Sequence, residues 1–141
     1  MASNDIIVVG SSNTDMILRV ARIPGPGETL LGGEFSTAPG GKGANQAVAA
    51  RRAGGRVAFV ARLGADSLGD EALARFRKEG IDVAGVARDR SAPSGVALIF
   101  VGSDGENSIG VAGGANQRLT PRDVHAAKAS ISAARILLLQ L

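Results

Sequence analysis

Short apolar segments alternate with helix-forming segments along most of this 141-residue chain. Residues 5–10, 56–62 and 135–141 are rich in aliphatic side chains and are typical of buried parallel strands. Residues 44–53 and 66–79 have helical spacing, and each of these segments is followed by glycine. The alternation predicts an α/β fold with a mainly parallel sheet flanked by helices.

Two segments depart from that alternation. Residues 16–37 and 95–112 contain short extended runs separated by turn signals, including an Asp-Gly pair at 104–105. We expect both to form antiparallel hairpins that stand off the main sheet. Residues 96–101 are apolar at each position, which favours a hairpin covered on both faces. A last helix is predicted from Thr120, as its N-cap, to about Ala133.

Composition argues against several classes of protein. Cysteine is absent, so the chain has no disulfide, thiolate metal site or cysteine nucleophile. Apolar runs reach only about six residues, against about 20 needed to span a bilayer, and the N-terminus lacks the basic region of a signal peptide. We therefore expect a cytoplasmic protein without a membrane partner. The net charge of +3 comes from scattered residues, and Tyr and Trp are absent, which disfavours nucleic-acid binding.

A glycine-rich motif, GGKGANQ at residues 40–46, lies between a predicted strand and a predicted helix. Glycines let a ligand approach the backbone, and the free N–H groups of a helix start favour an anion or hydroxyl groups. Lys42 is unfavourable there by about 0.3–1 kcal/mol, so we expect a carboxylate, phosphate or ligand beside it. The motif does not match a Walker A loop, and a tight turn without a ligand remains the alternative. Residues 10–15, after the first predicted strand, do not match a dinucleotide-binding pattern.

Two polar residues follow the first predicted strand. Asn13 and Asp15 alternate along the chain, so both side chains can face the strand end at which open α/β sheets bind ligands. A carboxylate accepts from hydroxyl groups, while an amide both donates and accepts, which suits a polyhydroxyl ligand. An Asx-turn is the alternative for this pair, and a plain turn is the simplest interpretation of GGAN at residues 113–116.

Five motifs in a fixed order carry a family resemblance over essentially the whole chain. They are GSSNTD at 10–15, PGPGET at 24–29, GGKGANQAVAA at 40–50, SGVALIF at 94–100 and GENSIGVAGGAN at 105–116. On these motifs the chain resembles the N-terminal half of members of the ribokinase-like family of carbohydrate kinases. The resemblance implies a Rossmann-like α/β core with a small antiparallel β lid that also serves as a homodimer clasp. Residues 1–141 would then be the N-terminal part of one kinase domain, truncated at Leu141, with lid segments at about 16–37 and 95–112.

The resemblance also implies a function, the transfer of a phosphoryl group from ATP to the primary 5-hydroxyl of D-ribose. The cofactors that it implies are Mg²⁺ and a monovalent cation, K⁺. The catalytic base and the ATP site of the family lie further along the chain, so we expect no catalytic, cofactor or metal residue here and no turnover by this chain alone. Related kinases of deoxyribose, fructose or a nucleoside, and a non-catalytic dimerising lid fragment, remain alternatives. The resemblance assigns the sugar contacts to Asn13, Asp15, Gly41, Lys42, Asn45, Ala97 and Val111.

Overall fold

The computed structural model describes residues 4–140, so the predictions for residues 1–3 and Leu141 lie outside it. Within these residues, none of the helices combines the length and apolar character needed to cross a bilayer. A short 3-10 helix spans Gly114–Arg118. The other elements are β1 (Ile6–Val9), β2 (Asn13–Arg19), β3 (Glu34–Gly40), α1 (Lys42–Arg52), β4 (Val57–Gly64), α2 (Ser67–Lys78), β5 (Val86–Asp89), β6 (Gly95–Val101), β7 (Asn107–Ala112), α3 (Pro121–Ala126), α4 (Lys128–Ala133) and β8 (Ile136–Leu139).

The core is a four-stranded sheet in the order β5-β4-β1-β8, with each neighbouring pair parallel. Successive residues of its strands point to opposite faces, so Val8 and Phe59 pack beneath α1 and α2 while Ile7 and Val60 pack beneath α3 and α4. Phe59 meets Phe76 of α2 edge to face, with ring centroids 5.2 Å apart. The predicted parallel α/β sheet flanked by helices is therefore confirmed.

The second sheet, which we call the lid sheet, has the strand order β3-β2-β6-β7. Its two hairpins are antiparallel as predicted, but they join through a parallel pairing of β2 with β6, so the sheet is mixed rather than antiparallel. The physical reason is that both strands leave the core at the same edge. β2 follows β1 closely, and Ser94, just before β6, accepts a hydrogen bond from the N–H of Gly64 at the end of β4.

Several predicted boundaries are wrong. Gly41 turns the chain alone, at φ +90°, so the helix begins at Lys42, two residues before the predicted start at residue 44. The last helix divides at Ala127, which leaves helical geometry at φ −91°, ψ 6° and is buried in the cluster that contains Ile7 and Val60 of the core sheet. Before β5, which starts at Val86, Asp82 makes an isolated parallel bridge to Ala58.

Candidate functional site

Three segments converge where the two sheets meet. The side-chain oxygen of Gln140, which follows β8, accepts hydrogen bonds from the N–H groups of Ser11 and Gly43, both at 3.0 Å, and from the Ser11 hydroxyl. The N–H of Ala44 donates to the Ser11 carbonyl at 2.9 Å. Two of the N–H groups at the start of α1, which the sequence leaves free for a ligand, are therefore occupied within the chain.

The glycines of this region are required by a crossing of two backbone segments. A Cβ atom on Gly43 would lie 2.7 Å from the Cα and carbonyl carbon of Gly10, and one on Gly41 would lie 2.7 Å from the Cα of Ser12. Real Cβ atoms do not approach backbone so closely, so α1 packs against the β1–β2 connection only with glycine at both positions. The close approach that we predicted for a ligand is made here by the chain itself.

Three of the predicted sugar contacts form one row across the lid sheet. Asp15 of β2 is in register with Ala97 of β6, and Ala97 is in register with Val111 of β7, so their side chains share one face. Asn13 lies two residues before Asp15 and points to the same face. Burial raises the pKa of the Asp15 carboxyl, and no hydrogen bond from the described residues lowers it.

Gly40 brings the end of β3 against this row. A Cβ atom at Gly40 would overlap the Asp15 carboxylate, so glycine leaves that carboxylate its space. Gly41 follows directly. A Cβ atom built on Gly41 would lie 2.8 Å from the backbone nitrogen of Asn13. The structure thus brings together five of the seven predicted residues, Asn13, Asp15, Gly41, Ala97 and Val111.

Lys42 and Asn45 occupy different surroundings. Lys42 begins α1 with an exposed side chain, and the first turn of α1 contains no acidic residue to offset its charge. Asn45 is also exposed and lines a groove between α1 and α2 together with Arg52 and Phe76. Neither side chain hydrogen-bonds to Asn13 or Asp15 within residues 4–140, so their assignment to the sugar site stays a prediction.

Asn116 is a further residue of this site, and it lies in the GGAN segment for which a plain turn is the simplest interpretation from sequence. Its amide oxygen accepts from the N–H of Ser12 at 2.9 Å, and its amide nitrogen donates to the carbonyl of Ser12 at 3.0 Å. The same nitrogen donates to the side-chain oxygen of Asn13 at 2.8 Å. The available signals were an amide two residues after a Gly-Gly pair and, for Gln140, a polar residue at the carboxyl end of a predicted strand.

A half-buried acidic residue anchors the base of the lid sheet. Asp66 caps α2 by accepting from the N–H of Gly69 at 2.9 Å, and it also accepts from the N–H and hydroxyl of Ser94 at 2.8 and 2.7 Å. Burial by itself raises the pKa of Asp66, but the bonds from Ser94 and Gly69 outweigh it and lower that pKa. The start of β6 is therefore held by an ionised carboxylate.

The described residues do not supply a metal centre. Among residues 4–140, no group of three or more His, Asp or Glu side chains is arranged to hold a metal ion. The turn at Gly41 also lacks the residues of a Walker A loop. The assignment of the ATP and Mg²⁺ sites to residues outside this part of the chain stays a prediction.

Comparison with known proteins gives the family. Residues 3–140 match the model of the pfkB family carbohydrate kinases. The chain belongs to this family. Among pfkB relatives, the ribokinase of Haemophilus influenzae is 43% identical over 136 residues, which cover 96% of this chain and 44% of the relative. A deoxyribokinase of Salmonella typhi is 37% identical, covering 97% of this chain and 45% of that protein.

Solved structures of the pfkB family agree with the fold. The ribokinase of Giardia lamblia superposes with a TM-score of 0.90 at 36% identity, over 99% of this chain and 42% of the other. An Arabidopsis thaliana ribokinase complexed with ribose and ATP superposes with a TM-score of 0.83 at 33% identity, over 99% of this chain and 46% of the other. The chain therefore spans less than half the length of these relatives.

Proposed function

We propose that this chain forms the sugar-binding part of a ribokinase, which transfers the γ-phosphoryl group of ATP to the primary 5-hydroxyl of D-ribose. The observation that carries the proposal is the row of Asp15, Ala97 and Val111 beside Asn13 and the β3–α1 turn. Ribokinase identities near 40% support it, as does the likeness to a ribokinase seen with ribose and ATP.

In this proposal each side chain has one task. The Asp15 carboxylate accepts from sugar hydroxyl groups, Asn13 donates to a hydroxyl oxygen, and Ala97 and Val111 cover the carbon frame of the sugar. Gly41, Lys42 and Asn45 complete the site from the start of α1.

The proposed contribution of the described residues to catalysis is positional. Phosphoryl transfer depends on holding the acceptor hydroxyl in line with the phosphorus, so these residues act by binding and orienting the sugar. We propose that ATP, Mg²⁺ and K⁺ are held outside residues 4–140, and that this chain alone does not turn over.

The test is ribose-dependent formation of ADP from ATP. We expect turnover by the full-length protein that contains this sequence and none by the purified chain alone. Turnover by the chain alone would contradict the proposal that ATP and the cations are held outside residues 4–140. A full-length protein inactive on ribose would contradict the proposed function.

Deoxyribose is the second candidate substrate, favoured by the 37% identity to a deoxyribokinase. The two sugars differ by a single hydroxyl group, and a site built to hydrogen-bond this group rejects the sugar lacking it by about 10⁴-fold or more. We compare kcat/KM of the full-length protein for ribose, 2-deoxyribose, fructose and a nucleoside. If kcat/KM is higher for one of the other three compounds than for ribose, that compound is the preferred substrate.

Asp15→Asn is expected to raise the KM for ribose by about 10- to 100-fold, because a charge-assisted hydrogen bond becomes a neutral one. The same substitution is expected to raise the melting temperature at neutral pH. The pKa of Asp15 is raised in the folded protein, so its ionised form destabilises the fold above that pKa. Steady-state kinetics and thermal melts of the full-length protein measure both effects.

The raised pKa also predicts the pH dependence of that KM. As the pH is lowered, the Asp15 carboxylate takes up its proton and the wild-type KM rises. Because the pKa of Asp15 is raised, this rise should begin at a higher pH than it would for an aspartate of ordinary pKa. Asp104→Asn, in the exposed turn of the β6–β7 hairpin, makes the same chemical change outside the site and should leave the KM unchanged. An unchanged KM for Asp15→Asn would show that the Asp15 carboxylate does not bind the sugar.

We further propose that the full-length protein is a homodimer joined through the lid sheet. Residues of the lid sheet on the face opposite Asp15 include Leu98, 52% exposed, and Phe35, 64% exposed, and strand register places Leu18 and Phe100 between them. A contiguous apolar surface of this kind favours contact with a second copy.

Leu98→Glu is expected to shift the protein from dimer to monomer in sedimentation equilibrium, because a charge would be buried in the contact. Leu31→Glu, in an exposed loop, is the matched control and should stay dimeric. A monomeric wild-type protein would exclude the proposed contact. If the chain alone dimerises while the full-length protein phosphorylates no sugar, the non-catalytic lid fragment becomes the better hypothesis.

A further inference from the structure

The orientation of the Asn13 side chain follows from a chain of hydrogen bonds that begins at the backbone. The N–H of Ser12 can only donate, so the Asn116 atom that faces it at 2.9 Å is the amide oxygen. The other amide atom of Asn116 is then nitrogen, and it donates to the Ser12 carbonyl. The Asn13 atom 2.8 Å from that nitrogen must accept, so it is the oxygen of Asn13.

This chain of bonds leaves Asn13 with one polar group uncommitted. Its amide oxygen is taken by Asn116, whereas its amide nitrogen has no hydrogen-bond partner among residues 4–140. The nitrogen can only donate, and Asp15, two residues further along the same face, can only accept when ionised. The pair therefore presents one donor and one acceptor.

Asn116 is itself held in place from two sides. Its neighbour Ala115 is completely buried and donates its N–H to the Pro93 carbonyl at 2.8 Å, just before β6. A Cβ atom on Gly95 would overlap the side-chain amides of both Asn116 and Asn13, so glycine at the start of β6 is required for their contact.

We propose that Asn116 is a positioning residue of the sugar site, which holds the Asn13 amide in the orientation that donates to a sugar oxygen. This inference rests on the proposed function, because it requires a sugar beside Asn13. Asn116 acts on the sugar through Asn13, and it ties that orientation to the backbone of Ser12 at the junction of β1 and β2.

The substitution that tests this is Asn116→Asp. An aspartate still accepts from the Ser12 N–H, but it cannot donate to Asn13. It instead attracts the Asn13 nitrogen and turns the amide, so that oxygen faces the sugar. We expect the KM of the full-length protein for ribose to rise about tenfold, the effect of one oriented hydrogen bond, with a smaller change in kcat.

Two further variants separate positioning from a general loss of structure. Gln117→Glu places the same charge change on the exposed next residue and should leave the KM unchanged. In an Asn13→Ala background, Asn116→Asp should change the KM by less than about twofold, because the group that it orients is gone.

The outcomes distinguish the inference from the proposed function. Non-additive effects of the Asn13 and Asn116 substitutions on KM support the positioning role. Additive effects in an enzyme active on ribose, or an unchanged KM for Asn116→Asp, overturn the positioning role and leave the proposed function standing. A wild-type full-length protein that phosphorylates neither ribose, 2-deoxyribose, fructose nor the nucleoside overturns both.

Discussion

Gly43→Ala is expected to reduce kcat/KM for ribose by at least about 100-fold and to lower the melting temperature by about 5 °C or more. The added methyl group would lie 2.7 Å from the Cα and carbonyl carbon of Gly10 and from the nitrogen of Ser11. All three atoms are backbone, so no side-chain rotation relieves the overlap. The start of α1 must therefore move away from the β1–β2 connection that carries Asn13.

Kinetics and thermal melting of the full-length protein measure these two effects. Gly25→Ala is the matched control, because a Cβ atom there meets only the Glu28 carboxylate, at 3.9 Å, and it should behave as the wild type. A Gly43→Ala enzyme with normal kcat/KM would mean that the crossing of α1 over Gly10 is looser than the structure has it.

Phe59→Ala is expected to destabilise the protein by about 3–5 kcal/mol, the largest loss from any single side-chain truncation proposed here. Phe59 is completely buried in the middle of β4, and its ring meets Phe76 of α2 edge to face at 5.2 Å. Truncation leaves a cavity beneath both helices on that face of the sheet. This loss is a large part of the stability of an ordinary domain, about 5–15 kcal/mol.

Guanidinium unfolding of the full-length protein measures the change. Phe59→Leu keeps most of the volume and should lose clearly less stability than the alanine variant. Equal losses for the two variants would show that the ring contact, rather than the filled volume, determines the stability of this position.

Part of the candidate site follows directly from local rules. Asn13 and Asp15 lie on one face because side chains alternate along a strand. They lie beside the core sheet because β2 begins four residues after the carboxyl end of β1 at Val9. The Gly-rich motif also begins a helix as expected, although its glycines serve a backbone crossing. These rules act over a few residues, so the sequence alone expresses them.

Other parts depend on residues that are far apart in the chain. Asn116 lies 103 residues from Asn13, and Gln140 lies 129 residues from Ser11. Each appears in sequence as a lone amide in a turn or at a strand end, a pattern that many exposed residues share. Their roles are visible only where the hydrogen-bonding partner is in place.

The sequence by itself determined the parallel core sheet, the two antiparallel hairpins and the pfkB motifs, because hydrophobic periodicity and turn residues are local properties of the chain. Only the tertiary structure decided that β2 pairs in parallel with β6, that Gly43 faces the chain's own backbone, and that Asn116 sets the orientation of Asn13. Each of these depends on which surfaces meet where the two sheets adjoin. Burial and hydrogen bonding between segments far apart in the sequence determine which surfaces meet.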